Sequence, residues 1–196
     1  VLITGGNSGI GKIAAIELAK KGASLVLACR PGDKTEVALA EINAVATQEA
    51  INLPVDLACL ESVRNLAREF LARYDALDVL INNAGVFPSR KKLTEDGFEM
   101  QIGVNHLSHF LLTELLIDVL KSTASSRVVT VSSMLHKKGE MDFASFRGEK
   151  KYSSQKAYAQ SKLANVLFSM ELAKRLADND VTSNCLHPGG VRTDIM

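Results

Sequence analysis

The chain has 196 residues and a formal net charge of +1. Its length suits one domain, its 46% hydrophobic share supplies a core, and its 23% charged share keeps the surface wet. Near-neutral charge leaves no broad basic face, so no nucleic acid partner is expected.

No run of about 18 apolar residues occurs, so nothing within the chain is expected to span a membrane. The chain opens inside an apolar run, Val1-Leu2-Ile3, and stops at Asp194-Ile195-Met196. It is expected to be a piece of a longer protein, with any targeting segment or anchor outside it. Cys29, Cys59 and Cys185 are odd in number, far apart and set in apolar stretches. They read as buried reduced thiols. His106, His109, His136 and His187 have no metal-ligand spacing and read as structural or surface residues, so no metal is expected.

Short β-rich runs alternate with longer helical patterns. The first run is Val1–Thr4, and a helix is predicted over Ile10–Lys21, where Ile13, Ile16, Leu18 and Ala19 share one side. Between them lies Thr4-Gly5-Gly6-Asn7-Ser8-Gly9-Ile10-Gly11. Glycine serves where the backbone needs positive φ or must approach a ligand closely. A helix starting there offers free N–H groups and a positive dipole end to a pyrophosphate. An ordinary tight turn is the bland reading.

The second run, Ser24–Cys29, ends at Arg30. A carboxylate at that place binds the ribose 2′-hydroxyl of NAD, whereas an arginine accepts the 2′-phosphate of NADP. Arg30 therefore points to NADP(H), against the alternative of a solvated surface arginine. A helix is predicted over Lys34–Thr47, a strand over Ile51–Val55 and a helix over Leu60–Tyr74. Asp56, at the third strand's end, is suited to the adenine amino group or equally to capping the following helix.

Strand Leu77–Asn82 runs into Asn82-Asn83-Ala84-Gly85, whose amides suit the end of a sheet first and a cofactor second. A single long helix is predicted over Gly97–Lys121. Asn105 lies inside it, where an amide is mildly unfavourable. Strand Arg127–Ser132 is followed by Ser133, and a serine at that point can orient a substrate oxygen. The polar stretch His136–Gln155 reads as a surface excursion.

The last helix, Ser154–Asp178, carries Tyr158 and Lys162. At i and i+4 they share a face. A nearby ammonium favours phenolate, and a tyrosine so tuned exchanges a proton with an alcohol or carbonyl. Strand Val181–His187 ends at Pro188-Gly189-Gly190. Near-continuous apolar strands alternating with helices imply parallel βαβ units and a doubly wound α/β sheet of the Rossmann type.

In order, these motifs resemble the short-chain dehydrogenase/reductase superfamily, over nearly the whole chain. Thr4-Gly5…Gly9-Ile10-Gly11 is similar to its T-G-x-x-x-G-I-G, and Asn82-Asn83-Ala84-Gly85 to its N-N-A-G. Asn105, Ser133, Tyr158 and Lys162 fall where its catalytic tetrad falls, with Ser133 favoured over Ser132. The resemblance assigns cofactor contacts to Gly5, Asn7, Ser8, Gly9, Ile10, Gly11, Arg30, Asp56, Leu57, Asn83, Ala84, Gly85, Tyr158, Lys162, Pro188, Gly189, Val191 and Thr193.

Leu27-Ala28-Cys29-Arg30, the 25-position gap between Ser133 and Tyr158 (158 − 133 = 25), and Ser161-Lys162-Leu163-Ala164-Asn165 resemble the retinol dehydrogenase group. The resemblance implies an NADP(H)-dependent oxidoreductase acting on a small lipophilic carbonyl or alcohol, retinal or retinol among them. It implies an intracellular place, cytoplasmic or on the cytosolic face of a membrane, and a homodimer through the two long helices. It also implies a fold that stops before its seventh strand. The alternative is a non-catalytic NADP-binding or scaffold protein of the same fold.

Overall fold

The computed structural model describes residues 1–190. Six strands form one parallel sheet: β1 (Leu2–Thr4), β2 (Val26–Cys29), β3 (Ile51–Pro54), β4 (Val79–Asn82), β5 (Ser126–Val131) and β6 (Val181–Leu186). Their order is β3-β2-β1-β4-β5-β6. The chain winds outward from β1 to β3, then returns to pair β4 on the other side of β1. The strand order reverses between β1 and β4, where the carboxyl ends of parallel strands open a crevice.

Alternation along the strands explains why both sheet faces are covered. Leu2, Val26, Ala28 and Leu53 turn to one face, and Ile3, Leu25, Leu27 and Cys29 to the other. The second face is closed by α1 (Gly9–Lys20) and α2 (Asp33–Asn43) through Ala15, Ala19 and Ile42. The first is closed by α3 (Leu60–Leu71) and, from later in the chain, α5 (Ser108–Leu115), α6 (Ile117–Ser122) and α7 (Ser154–Arg175). Parallel strands buried on both faces need apolar residues at successive positions, as these have.

The predicted helix over Gly97–Lys121 is interrupted, and this is the main correction to the sequence reading. Gly97 takes φ +77° in a turn, and the Glu99 carboxylate accepts from the amides of Gln101 and Ile102 at 3.0 Å each. The helix therefore starts at α4 (Met100–Ile102). A π-helical turn follows over Gly103–Leu107, then α5, and a break at Leu116 separates α5 from α6.

The stretch His136–Gln155 is more ordered than a free excursion. It holds two 3₁₀ turns, Met134–Lys138 and Phe143–Ser145. The Gln160 amide on α7 accepts from Asp142 N at 2.8 Å and donates to Ser145 Oγ at 2.9 Å. Gly139 lies so close to α7 that a Cβ there would stand 2.5 Å from the Ala159 carbonyl oxygen. The three cysteines are free thiols, but only Cys29 is buried. Cys59 precedes α3 and Cys185 sits on the outer strand β6, so both are half-exposed.

Candidate active site

The crevice is built on the junction of β1 and β4. Thr4 Oγ1 accepts from the amides of Asn83 and Ala84, both at 3.0 Å. In return Asn83 Nδ2 donates to the carbonyls of Thr4 (2.8 Å) and Gly5 (3.3 Å). Asn83 thus serves the sheet end, and Ala84 packs directly against Gly5. Gly5 and Gly9 take φ of +66° and +50°, which side chains disfavour. A Cβ at Gly11 would collide with the Gly5 carbonyl and with Asn83 Nδ2. These glycines let the turn close tightly on the strand ends.

Helix α1 then begins without a side-chain cap on Ser8 and without an acidic residue in its first turn. Its free N–H groups and dipole fit an anionic pyrophosphate. Asn7 instead braces the turn, donating through Nδ2 to Thr35 Oγ1 at 2.8 Å, while that hydroxyl donates to the Arg30 carbonyl at 2.7 Å. The Arg30 side chain is exposed at the end of β2, free to meet a phosphate. The donor set therefore fits a phosphorylated dinucleotide.

Asp56 is not the helix cap: Cys59 holds that position before α3. Asp56 Oδ1 accepts from Ala58 N at 2.9 Å in a local turn, and the Leu60 amide is met by Asp96 Oδ2 at 2.9 Å. The helix start is capped from a distant loop, which sequence spacing does not reveal. Leu57 turns its side chain into the core. Pro188 and Gly189 follow β6, with Gly189 at φ +88°. Val191 and Thr193 lie outside the described residues.

Asn105 is fully buried in the π-helical turn. Its Oδ1 accepts from Val86 N at 2.7 Å, and its Nδ2 donates to Val86 O (3.1 Å) and to Ser161 Oγ (3.0 Å). One amide thus links the segment after β4 to helix α7, one residue before Lys162. Ser132 and Ser133 point differently. Ser132 Oγ donates to the Lys162 carbonyl at 2.8 Å, which locks β5 to α7. Ser133 Oγ accepts from Leu135 N at 3.3 Å and stands near enough to the Tyr158 phenol to favour its ionised form. The structure therefore places Ser133, not Ser132, beside the tyrosine.

Burial pushes the Tyr158 phenol up, and the nearby Ser133 hydroxyl works against that shift. The expected lowering by Lys162 is not found. The ammonium lies 5.6 Å from the ring centroid and donates to the Val131 carbonyl at 3.0 Å. Lys162 is itself 2% exposed, and desolvation lowers it to about 8. Phe87, which the sequence reading passed over, stacks on Tyr158 with centroids 4.6 Å apart and planes at 29°. The segment is held on both sides of Phe87, at Val86 by Asn105 and at the Pro88 carbonyl by Tyr152 Oη (3.2 Å) and Ser154 Oγ (2.6 Å). Among the described residues, no cluster of His, Cys, Asp or Glu is able to hold a metal ion.

The whole chain, residues 1–196, matches the short chain dehydrogenase family. The chain belongs to that family. It is 48% identical over 197 residues to Retinol dehydrogenase 13 of Homo sapiens, covering all of this chain and 60% of that protein. It is 50% identical over 195 residues to Retinol dehydrogenase 11 of Mus musculus, covering 99% of this chain and 62% of that protein. The chain thus spans about three-fifths of the length of these relatives.

Among solved structures, an uncharacterised protein from Mycobacterium paratuberculosis superposes with a TM-score of 0.84 at 43% identity, over 96% of this chain and 67% of that one. A short chain dehydrogenase from Burkholderia cenocepacia, solved in complex with NADP, gives a TM-score of 0.79 at 29% identity, over 99% and 75%.

His109 carries a pH prediction. It is fully buried, and desolvation lowers it to about 4, from about 6.5 in an unfolded chain. Between those values the unfolded chain holds a proton that the folded chain excludes. The stabilisation is therefore complete above about pH 6.5 and is lost as pH falls through about 4, by on the order of 3 kcal/mol. Urea unfolding between pH 7 and 4.5 should show a steeper decline for the wild type than for His109→Gln. Equal slopes would contradict the assignment.

Proposed function

We propose that this protein is an NADP(H)-dependent oxidoreductase that interconverts a lipophilic carbonyl compound and its alcohol. The observation that carries the reading is the placement of buried Lys162 5.6 Å from the ring of Tyr158, with the Ser133 hydroxyl beside the phenol. Burying an ammonium costs stability, and its single bond to the Val131 carbonyl is one that a neutral donor could make, so a lysine beside a phenol favours catalysis over a scaffold role.

The cofactor supplies or accepts the hydride when bound. In carbonyl reduction, Ser133 donates a hydrogen bond to the substrate oxygen and Tyr158 gives that oxygen its proton. Negative charge then develops on the phenol oxygen, in the field of the Lys162 ammonium 5.6 Å from the ring, a field that does not overcome burial in the resting site. In alcohol oxidation Tyr158 takes the hydroxyl proton in its ionised form, which burial disfavours and the Ser133 hydroxyl favours. Asn105 holds Phe87 and the start of the Lys162 turn in register. Arg30 and the α1 N-terminus receive the phosphates.

Three features support an apolar substrate: the Phe87 ring on Tyr158, the exposed Met134 side chain next to Ser133, and the names of the relatives, which are retinol dehydrogenases. Retinal and retinol head the list of substrates to assay.

A second copy of the chain is the proposed occupant of an apolar groove of about 280 Å³ between α5 and α7, lined by Phe110, Leu167, Phe168 and Leu172. None of the tetrad lines it. Glu114 and the Glu171–Arg175 ion pair (2.9 Å) rim the same face, and a two-fold contact would set this rim against its own copy.

Tyr158→Phe should lower turnover of retinal with NADPH by about 100-fold or more while the thermal midpoint holds. Near-intact activity would overturn the mechanism, and tight NADPH binding without turnover in the wild type would favour a binding protein instead. Arg30→Asp should weaken NADPH against NADH by about tenfold or more, read from the two dissociation constants. An unchanged ratio would mean that other groups hold the 2′-phosphate. Sedimentation at micromolar concentration should show a dimer that Phe110→Glu dissociates, and a wild-type monomer would refute the pairing.

A further inference from the structure

His109 has no part in the chemistry above, yet it touches both halves of the crevice. It sits on α5, one turn after Asn105, and is 1% exposed. Its Nδ1 lies 3.1 Å from the Asn105 backbone carbonyl, and its Nε2 lies 2.8 Å from Thr4 Oγ1.

The partners fix the tautomer. A carbonyl only accepts, so Nδ1 carries the proton. A neutral ring then leaves Nε2 as an acceptor. Thr4 Oγ1 already accepts from the amides of Asn83 and Ala84, which occupy its two lone pairs. Its single hydrogen is left for Nε2, the Ile81 carbonyl at 3.4 Å being a poorer acceptor. The ring nitrogens of His109 and the Thr4 hydroxyl are all satisfied in this one arrangement. Nothing polar remains for the ring to exchange with.

We propose that His109 is a positioning residue, a strut that sets the Asn105 turn against the strand end from which the glycine-rich turn springs. Its two nitrogens do different work. The Nδ1 arm holds the π-helical turn, and with it the Asn105 amide that places Phe87 and Ser161 around Tyr158. The Nε2 arm holds Thr4, and with it the close approach of Gly5 to Ala84 that shapes the dinucleotide turn. The inference rests on the oxidoreductase reading only for its turnover arm.

Two amide substitutions separate the arms. In His109→Asn the amide occupies the Nδ1 place and keeps the donor to Asn105, but it is too short for Thr4. In His109→Gln the amide reaches the Nε2 place and keeps an acceptor for Thr4, but leaves Asn105 O without its partner. His109→Asn should weaken NADPH, by about 5- to 10-fold in dissociation constant, more than it lowers kcat. His109→Gln should do the reverse.

NADPH affinity is read by fluorescence and kcat by retinal reduction, in the full chain, with thermal midpoints alongside. Thr4→Val should reproduce the NADPH defect of His109→Asn, and Thr4→Ser should restore affinity. If both histidine variants lose affinity and kcat in parallel with their thermal midpoints, His109 only fills space and the proposal falls. A wild type without turnover counts against the oxidoreductase reading alone, because NADPH affinity still separates the variants. Equal NADPH affinity in the two variants overturns the strut.

Discussion

The crevice depends on how closely two parallel strand ends approach each other. β1 and β4 are neighbours in the sheet but distant in sequence, and their ends are joined by side chains as well as by the ladder. Thr4 supplies an acceptor for two amides of β4's end, and Asn83 supplies donors for two carbonyls of β1's end. Buried backbone groups left without such partners would cost about 1–3 kcal/mol each. The exchange lets the sheet stop there without water, so the glycine-rich turn and the segment carrying Phe87 leave the same point in fixed directions.

Helix α7 is the second fixed body. It is pinned to β5 by Ser132 and by the Lys162 ammonium, both of which bond backbone carbonyls, and to the π-helical turn through Ser161. The lysine is thus a structural group as well as an electrostatic one. Desolvation weakens its hold on the proton, so the strength of its field at Tyr158 depends on how dry the site stays.

The sequence was informative wherever chemistry is local. The sheet class follows from apolar strands alternating with helices, and the turn at Gly5–Gly11 from glycine spacing. The pairing of Tyr158 with Lys162 follows from helical periodicity. It was less informative where partners are far apart. The break before Met100 needs the Glu99 carboxylate to fold back on its own helix, and the cap on α3 comes from Asp96, 36 positions away. Phe87 reaches Tyr158 because Asn105 holds Val86 while Tyr152 and Ser154 hold Pro88. The direction of the Tyr158 shift depends on burial, which no local pattern reports. Arg30 was legible as a residue type at a strand end; its exposure adds that the side chain is free to turn toward a phosphate.

The clamp of Gln160 on the stretch before α7 has a mechanical consequence. One amide, two residues after Tyr158 on α7, holds Asp142 and Ser145 from the helix side. The segments on either side of those two attachment points bear little of the sheet's packing. Insertions and deletions there can reshape the wall facing a substrate while Tyr158, Ser133 and Lys162 keep their mutual distances. The length of the stretch is therefore mechanically uncoupled from the spacing of those three side chains.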